Sequence, residues 1–121
     1  MNPETLKTVG AIAVVAVSAF VLLGAKGGSV TGEEARALVK DKGAFLLDVR
    51  TPSEFAEGHI EGATNIPVQE LDAKLSTLES KKGQDIVVYC RSGARSAQAK
   101  RKLEAAGFTK VHDLGGMSNW K

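Results

Sequence analysis

The stretch "VVYCRSGARSAQ", from Val87 to Gln98, is the strongest indication of the fold in this sequence. Its apolar, β-branched beginning is typical of a buried strand, and its end is typical of a helix. The polar and basic loop between them opens with Cys90, the single cysteine of the sequence. In open parallel sheets the reactive crevice lies beyond the carboxyl ends of the strands, so this order predicts that Cys90 lies at such a crevice.

Strand patterns alternate with helical patterns along the rest of the chain. Strands are predicted at about 44–49, 64–66, 85–90 and 110–114. A capping box at Thr31 and Glu34 predicts a first helix, and a short helical turn is expected around 52–56. Further helices are expected over the leucine repeat at 71, 75 and 78, and from about Ser96 to Gly107, with a final turn at 115–120. The alternation predicts an α/β fold in which helices cover both faces of a parallel sheet.

The composition is that of one globular domain and excludes several kinds of protein. With 121 residues and 43% apolar content, the chain can bury one modest core. Its net charge is only +2 and its acids and bases are interspersed, so no nucleic-acid partner is expected. A single cysteine forms no internal disulfide, and two isolated histidines add poor zinc ligands, so no metal site is expected. The sequence contains no nucleotide or flavin fingerprint, and we expect no cofactor.

The amino terminus departs from this globular pattern. Residues 8–25 carry no charge, and their number lies between a signal-peptide core and a full membrane span. Cleavage after Ala19 fits the small-residue rule but would leave "FVLL" at the start of the mature chain, and cleavage after Ala25 puts Leu23 where a small residue is preferred. Both sites are poor, which favours an uncleaved membrane anchor in one hydrophobic helix. A cleaved periplasmic form is the alternative, and a buried core helix is a third interpretation.

A glycine-containing joint at 26–30 separates this segment from the rest of the chain. We therefore divide the chain into an anchor or signal segment at 1–28 and a domain at 29–121. From Ser29 to Lys121 there are 14 basic and 13 acidic side chains, so the domain is close to neutral. We expect it outside the cytoplasm, in the periplasm.

The loop after Cys90 favours a reactive thiol. Its backbone N–H groups can turn inward around one anionic atom, and Gly93 permits backbone angles that a side chain would obstruct. The amino terminus of the following helix, together with Arg91 and Arg95, should lower the thiol pKa. The alternative is that Cys90 is a small buried hydrophobic residue that ends a strand. The order of Cys, Gly, Arg and Ser between strand and helix favours the reactive interpretation.

Three motifs in this order resemble a single-domain rhodanese, a sulfurtransferase family that uses thiosulfate. They are "LLDVRTPSEFAEGHIEGATNIP", "YCRSGARSAQAKRKLEAAGF" and "DLGGMSNW", and the resemblance extends from Thr31 to Trp120. It implies that Cys90 attacks the outer sulfur of thiosulfate, releases sulfite, and holds the sulfur as a persulfide for a thiol or cyanide acceptor. The substrate-binding loop would then consist of Arg91, Ser92, Gly93, Ala94, Arg95 and Ser96.

The resemblance also implies roles for residues around this loop. Arg91 would contact the departing sulfite oxygens. Ser92 stands where thiosulfate-using members often have a second cation. Arg95 has two possible roles, facing the substrate anion or pairing with an acid of the first motif. We expect Asp48, Arg50 and Glu54 to support the structure.

The remaining candidate residues are expected to be structural. We expect His59 to fix the turn between Gly58 and Gly62 rather than to act as a base, and His112 to be a surface or packing residue. The Gly115–Gly116 pair is expected to form a tight turn, with Trp120 as a packing anchor.

Two other functions remain as alternatives. Related phosphatases and arsenate reductases have a loop one residue longer, whereas the six residues 90–95 match the shorter loop of sulfur transfer. The other alternative is a membrane-tethered persulfide carrier or sulfur-binding module, which exchanges sulfur with a protein partner and turns thiosulfate over poorly.

Overall fold

The computed structural model describes residues 28–121. The predicted membrane segment at 8–25 lies outside the described residues. Within 28–121, no helix combines the length and the apolar character needed to cross a membrane.

Within residues 28–121, four helices and four strands make up the regular structure. The helices are α1 (Gly32–Lys42), α2 (Pro52–Glu57), α3 (Leu71–Lys74) and α4 (Ala94–Ala105). The strands are β1 (Phe45–Asp48), β2 (Thr64–Asn65), β3 (Ile86–Cys90) and β4 (Val111–Gly116). Three short 3₁₀ helices cover Val68–Glu70, Leu75–Lys81 and Met117–Trp120.

The strands form one parallel sheet in the order β2-β1-β3-β4. Asp48 of β1 is opposite Tyr89 of β3, and Cys90 is opposite Gly116 of β4. This register brings the carboxyl ends of three strands to one edge of the sheet. The predicted α/β fold with a parallel sheet is confirmed.

Helices cover both faces of the sheet, which explains the unbroken apolar run of β3. Ile86, Val88 and Cys90 contribute to a core cluster on the α4 side. Val87 and Tyr89 contribute to a second cluster, which includes residues of α1. Because successive side chains of a strand point to opposite faces, a strand that is buried on both faces needs apolar residues at every position.

The leucine repeat does not form the continuous helix that its spacing predicts. The chain instead passes from the Val68–Glu70 3₁₀ turn through the single α turn of α3 into the 3₁₀ segment Leu75–Lys81. The Thr77 hydroxyl donates a hydrogen bond to the Lys74 carbonyl at 2.6 Å. Short polar side chains that bond to nearby backbone in this way compete with α-helical hydrogen bonding.

The two glycine positions near the site also differ from the predictions. α4 begins at Ala94 rather than near Ser96, because Gly93 takes a φ of 114° and forms the amino-terminal cap. Gly115 and Gly116 belong to β4 rather than to a turn. The register skips Leu114 between the partners of Val88 and Tyr89, and Gly115 meets this irregularity with a φ of 83°.

Candidate active site

Cys90 ends β3, and its sulfur lies against the backbone of the loop that leads into α4. The Gly93 N–H donates a hydrogen bond to Cys90 Sγ at 2.9 Å. The positive φ of Gly93 turns the backbone, and a side chain at this position would be strained. Because Gly93 has no Cβ, the backbone can turn so that the Gly93 N–H points at the thiol.

The environment of Cys90 favours the thiolate. Burial alone would raise the pKa of the thiol, because charge is poorly solvated in the protein interior. The backbone N–H groups of Ser96, Gly93 and Ser92, together with the nearby Ser96 hydroxyl, act in the opposite direction. They outweigh burial, and the pKa of Cys90 lies below its ordinary value. A lowered pKa increases the fraction of thiol that is nucleophilic at neutral pH.

Ser96 supports this loop from the first turn of α4. Its side chain is completely buried, and its hydroxyl donates to the Gly93 carbonyl at 3.0 Å. The same hydroxyl lies close enough to Cys90 to lower the pKa of the thiol. Ser96 therefore contacts both the residue that turns the loop and the sulfur that the loop surrounds.

Arg95 pairs with the acid of the first motif. Its guanidinium makes two hydrogen bonds to the Glu54 carboxylate, at 2.7 and 3.1 Å. This pairing and the backbone N–H of Thr51 lower the pKa of Glu54 to about 2. Of the two roles considered for Arg95, these contacts favour support of the loop, because a bidentate pair fixes both side chains.

Arg91 is the exposed cation of the loop. Its side chain is 76% exposed, and its nearest acidic contact is Glu54 at 3.8 Å. A guanidinium held this loosely can turn towards an anion that approaches Cys90. Ser92 and Ala94 are also exposed and form the outer surface of the loop.

A buried ion pair lies beneath the neighbouring strand end. The Arg50 guanidinium donates to both carboxylate oxygens of Asp48, at distances from 2.8 to 3.1 Å. It also donates to the Gly58 carbonyl at 2.7 Å, and its Cζ lies 5.7 Å from the centre of the Tyr89 ring. Asp48 and Arg50 thus connect β1 to the end of α2 and to the residue before Cys90.

The structure places the two histidines away from any catalytic contact with the sulfur. His59 stacks on the Phe55 ring at 3.6 Å, and its Nδ1 lies 2.9 Å from the Phe55 carbonyl, which ties the turn to α2. His112 is 2% exposed, so it packs inside rather than lying at the surface. Its Nε2 lies 2.9 Å from a carboxylate oxygen of Asp85. Asp85 precedes the first residue of β3, whereas Cys90 is the last.

A cavity of about 380 Å³ beside the loop includes residues that sequence reasoning did not select. Glu57, Gly58, Met117 and Ser118 line it together with Arg50, Glu54 and Arg91. Met117 follows Gly116, which pairs with Cys90 across the sheet. Because the carboxyl ends of adjacent parallel strands share one edge, the residues after the last predicted strand could have been recognised as neighbours of Cys90.

Comparisons with known proteins agree with this geometry. The family model described as Rhodanese-like domain matches residues 31–121. The thiosulfate sulfurtransferase PspE of Escherichia coli is 37% identical over 73 residues, which cover 60% of this chain and 70% of the relative. The chloroplastic thiosulfate sulfurtransferase 16 of Arabidopsis thaliana is 45% identical over 89 residues, covering 64% and 74%.

A solved structure gives the same result for the fold. The human single-domain sulfurtransferase TSTD1 superposes with a TM-score of 0.69 and 31% sequence identity, over 76% of this chain and 93% of the human chain. The similarity extends over the loop that carries Cys90 and the sheet that supports it, and the chain belongs to the rhodanese family of sulfurtransferases.

Proposed function

We propose that this protein is a thiosulfate sulfurtransferase that carries the transferred sulfur as a persulfide on Cys90. The observation that carries the proposal is the hydrogen bond from the Gly93 N–H to Cys90 Sγ, in a loop that lowers the pKa of the thiol. A sulfur nucleophile needs to be ionised at neutral pH, and these contacts favour ionisation. Relatives named thiosulfate sulfurtransferases support thiosulfate as the donor.

The first step transfers sulfur without net oxidation. The Cys90 thiolate attacks the outer sulfur of thiosulfate, a sulfur–sulfur bond forms, and the original sulfur–sulfur bond breaks. Sulfite leaves with the electron pair of that bond. The new terminal sulfur carries the negative charge, and the loop N–H groups that stabilised the thiolate lie close enough to stabilise it with little rearrangement.

Arg91 is the residue that we assign to the anionic donor. It directly follows the nucleophile, and its guanidinium is exposed and only loosely paired with Glu54. Sulfonate oxygens match the donor geometry of a guanidinium, so Arg91 would bind thiosulfate and then stabilise the sulfite that departs.

The second step returns Cys90 to its thiolate form. An acceptor nucleophile attacks the outer sulfur of the persulfide, and the Cys90 thiolate leaves. Cyanide becomes thiocyanate, and a thiol becomes a persulfide. No metal or redox cofactor is required, since atoms and electrons balance between donor and acceptor.

A steady-state assay of thiocyanate from thiosulfate and cyanide tests this function. Cys90→Ser should abolish turnover with the fold retained, because the substitution changes one atom of a buried side chain. Circular dichroism would verify that fold. Thiocyanate formation by Cys90→Ser at the native rate would overturn the mechanism.

A persulfide carrier is the second candidate, and one observation favours it. Ser92 leaves Arg91 as the exposed cation beside the nucleophile, whereas thiosulfate is a dianion. A carrier would acquire sulfur on Cys90 from a persulfide donor, pass it to a protein acceptor, and turn thiosulfate over poorly. Comparison of thiosulfate with a small-molecule persulfide as donors separates the two functions.

We further propose that residues 8–25 anchor the protein in a membrane, with the domain on the periplasmic side. The support is the absence of charge in this stretch. Fractionation of lysed cells tests it, since the full-length chain should remain with the membranes after a salt wash. Recovery of the full-length chain in the soluble fraction would contradict it, and a mature chain lacking these residues would indicate the cleaved form.

A further inference from the structure

The cavity of about 380 Å³ beside the active loop is lined by residues that neighbour Cys90 in the chain and across the sheet. Arg91 follows Cys90 in the chain, and Met117 follows the residue that pairs with Cys90 across the sheet. Glu57 and Gly58, at the end of α2, line another part of the cavity. A molecule held there would contact Arg91, the residue next to the nucleophile.

Most of the charge that lines this cavity is already neutralised. Arg50 pairs with Asp48 at 2.8 Å, and Glu54 pairs with Arg95 at 2.7 Å. Two charges of opposite sign remain for a ligand. One is the Arg91 guanidinium, and the other is the Glu57 carboxylate, which is exposed and forms no ion pair or hydrogen bond within residues 28–121.

The fold does not account for the charge of Glu57. It is the last residue of α2, where the helix dipole is negative and cations are favoured, yet the last turn contains no basic residue. A carboxylate at this position is therefore slightly unfavourable for the helix. Because Glu57 lines the cavity, its charge is available to bind a cationic group of a ligand.

We propose that this cavity binds the sulfur acceptor, and that the acceptor is a small aminothiol that carries both an ammonium and a carboxylate. Glu57 receives the ammonium, Arg91 receives the carboxylate, and Met117 contacts the carbon chain. This inference rests on the proposed function, since it concerns the second half of the same sulfur transfer. A cavity that offers one cation and one anion matches a zwitterion better than it matches a dianion.

The transfer that follows is balanced. The acceptor sulfur attacks the outer sulfur of the Cys90 persulfide, and the bond between that sulfur and Cys90 Sγ breaks. Cys90 leaves as a thiolate with the electron pair. The acceptor thiol becomes a persulfide, and its proton ends on the transferred sulfur.

The experiment separates loading from transfer in the full-length protein. Cys90 is first loaded with thiosulfate and freed of excess donor, and intact mass then follows the loss of the persulfide in a single turnover. Three acceptors are compared: L-cysteine has both charges, cysteamine has only the ammonium, and 3-mercaptopropionate has only the carboxylate. Each variant is compared with the native chain for the same acceptor, so differences in acceptor thiol pKa cancel.

Glu57→Gln should slow transfer to L-cysteine and cysteamine by roughly 1.5-fold to fivefold, as expected for loss of one exposed ion pair, and should leave transfer to 3-mercaptopropionate unchanged or faster. Arg91→Gln should slow transfer to L-cysteine and 3-mercaptopropionate, which carry a carboxylate, and should leave the rate of transfer to cysteamine unchanged. Glu61→Gln is the matched control, because Glu61 is an exposed acid outside this cavity. It should change none of the three rates.

Equal effects of Glu57→Gln on all three acceptors, or no effect on any, would overturn the acceptor site and leave the proposed function intact. Failure of the native chain to load from thiosulfate would instead contradict the proposed function. In that case Cys90 is loaded from a small-molecule persulfide, and the same three acceptors still test the cavity.

Discussion

At the scale of single residues, the chemistry depends on donors that point at one sulfur. The Gly93 N–H lies 2.9 Å from Cys90 Sγ, and Ser96 holds Gly93 in place through its carbonyl. The sequence could predict this arrangement, because a cysteine between a buried strand and a helix, followed by a glycine, leaves few other backbone paths. It could not predict that Arg95 supports the loop rather than facing a substrate, since that depends on the position of Glu54.

The pH dependence of alkylation tests the ionisation of Cys90. Because the loop lowers the pKa of the thiol, the rate of reaction with iodoacetamide should reach its plateau at a lower pH than for an ordinary cysteine. Ser96→Ala should move the profile to higher pH, since it removes a hydroxyl that favours the thiolate. A native midpoint at or above that of an ordinary thiol would contradict this account.

The same lowered pKa links stability to pH. The folded state favours the thiolate, so the contribution of Cys90 to the free energy of unfolding is present above the pKa of the unfolded thiol. That contribution is lost as the pH falls through the lower pKa of the folded state. Denaturant unfolding of the native chain and of Cys90→Ser across this range should show their difference increasing with pH, whereas a constant difference would contradict the linkage.

Arg91 should act on the donor with little effect on the fold. Its side chain is 76% exposed, so Arg91→Ala should leave the melting temperature nearly unchanged. Loss of a charge-assisted contact to thiosulfate should lower kcat/KM for this donor by about tenfold or more. Arg101→Ala is the control, because Arg101 is an exposed cation of α4 outside the loop. Equal losses in the two variants would contradict the role of Arg91.

At the scale of elements, the ion pair of Glu54 with Arg95 connects α2 to α4 across the site. The pKa of Glu54 is lowered to about 2, so the pair contributes stability above the ordinary pKa of a glutamate and loses it as the pH falls towards 2. Glu54→Gln should therefore reduce the melting temperature at neutral pH, and the difference from the native chain should shrink in acid. A difference that is independent of pH would show that the pair does not stabilise the fold through its charge.

Gly116 of β4 packs closely against the loop, so a substitution at this position tests the packing between the two elements. A Cβ at Gly116 would lie 2.7 Å from the Arg91 carbonyl oxygen, so Gly116→Ala must displace the backbone beside Cys90. We expect a loss of about 1–3 kcal/mol in urea unfolding and a large loss of sulfur transfer. Gly83→Ala is the matched control, because its Cβ would meet no atom within 4 Å. Native stability and activity in Gly116→Ala would contradict the packing.

Local patterns predicted some elements better than others. β3 follows from an apolar run that only burial on both faces explains, and α1 follows from its capping box at Thr31. The leucine repeat at 71, 75 and 78 suits one buried face in either helical form, so its spacing could not distinguish an α helix from the observed 3₁₀ turns. In the structure, the hydrogen bond from the Thr77 hydroxyl to the Lys74 carbonyl accompanies the 3₁₀ form.

At the scale of the whole molecule, the parallel sheet gathers the site from distant parts of the chain. The carboxyl ends of β1, β3 and β4 bring together the Asp48–Arg50 pair, Cys90, and Gly116 with Met117. The alternation of strands and helices in the sequence predicts a parallel sheet with Cys90 at this edge. It does not predict the cavity that Glu57 and Met117 share, because that depends on the strand register and on where α2 ends.

The most direct test of the central claim is the intact mass of the full-length protein after incubation with thiosulfate and then with cyanide. We expect one added sulfur atom that peptide mapping places on Cys90, and its quantitative removal by cyanide as thiocyanate. Persulfide formation on Cys90 would be contradicted if the native chain stayed unmodified in thiosulfate, or if Cys90→Ser gained the same added sulfur.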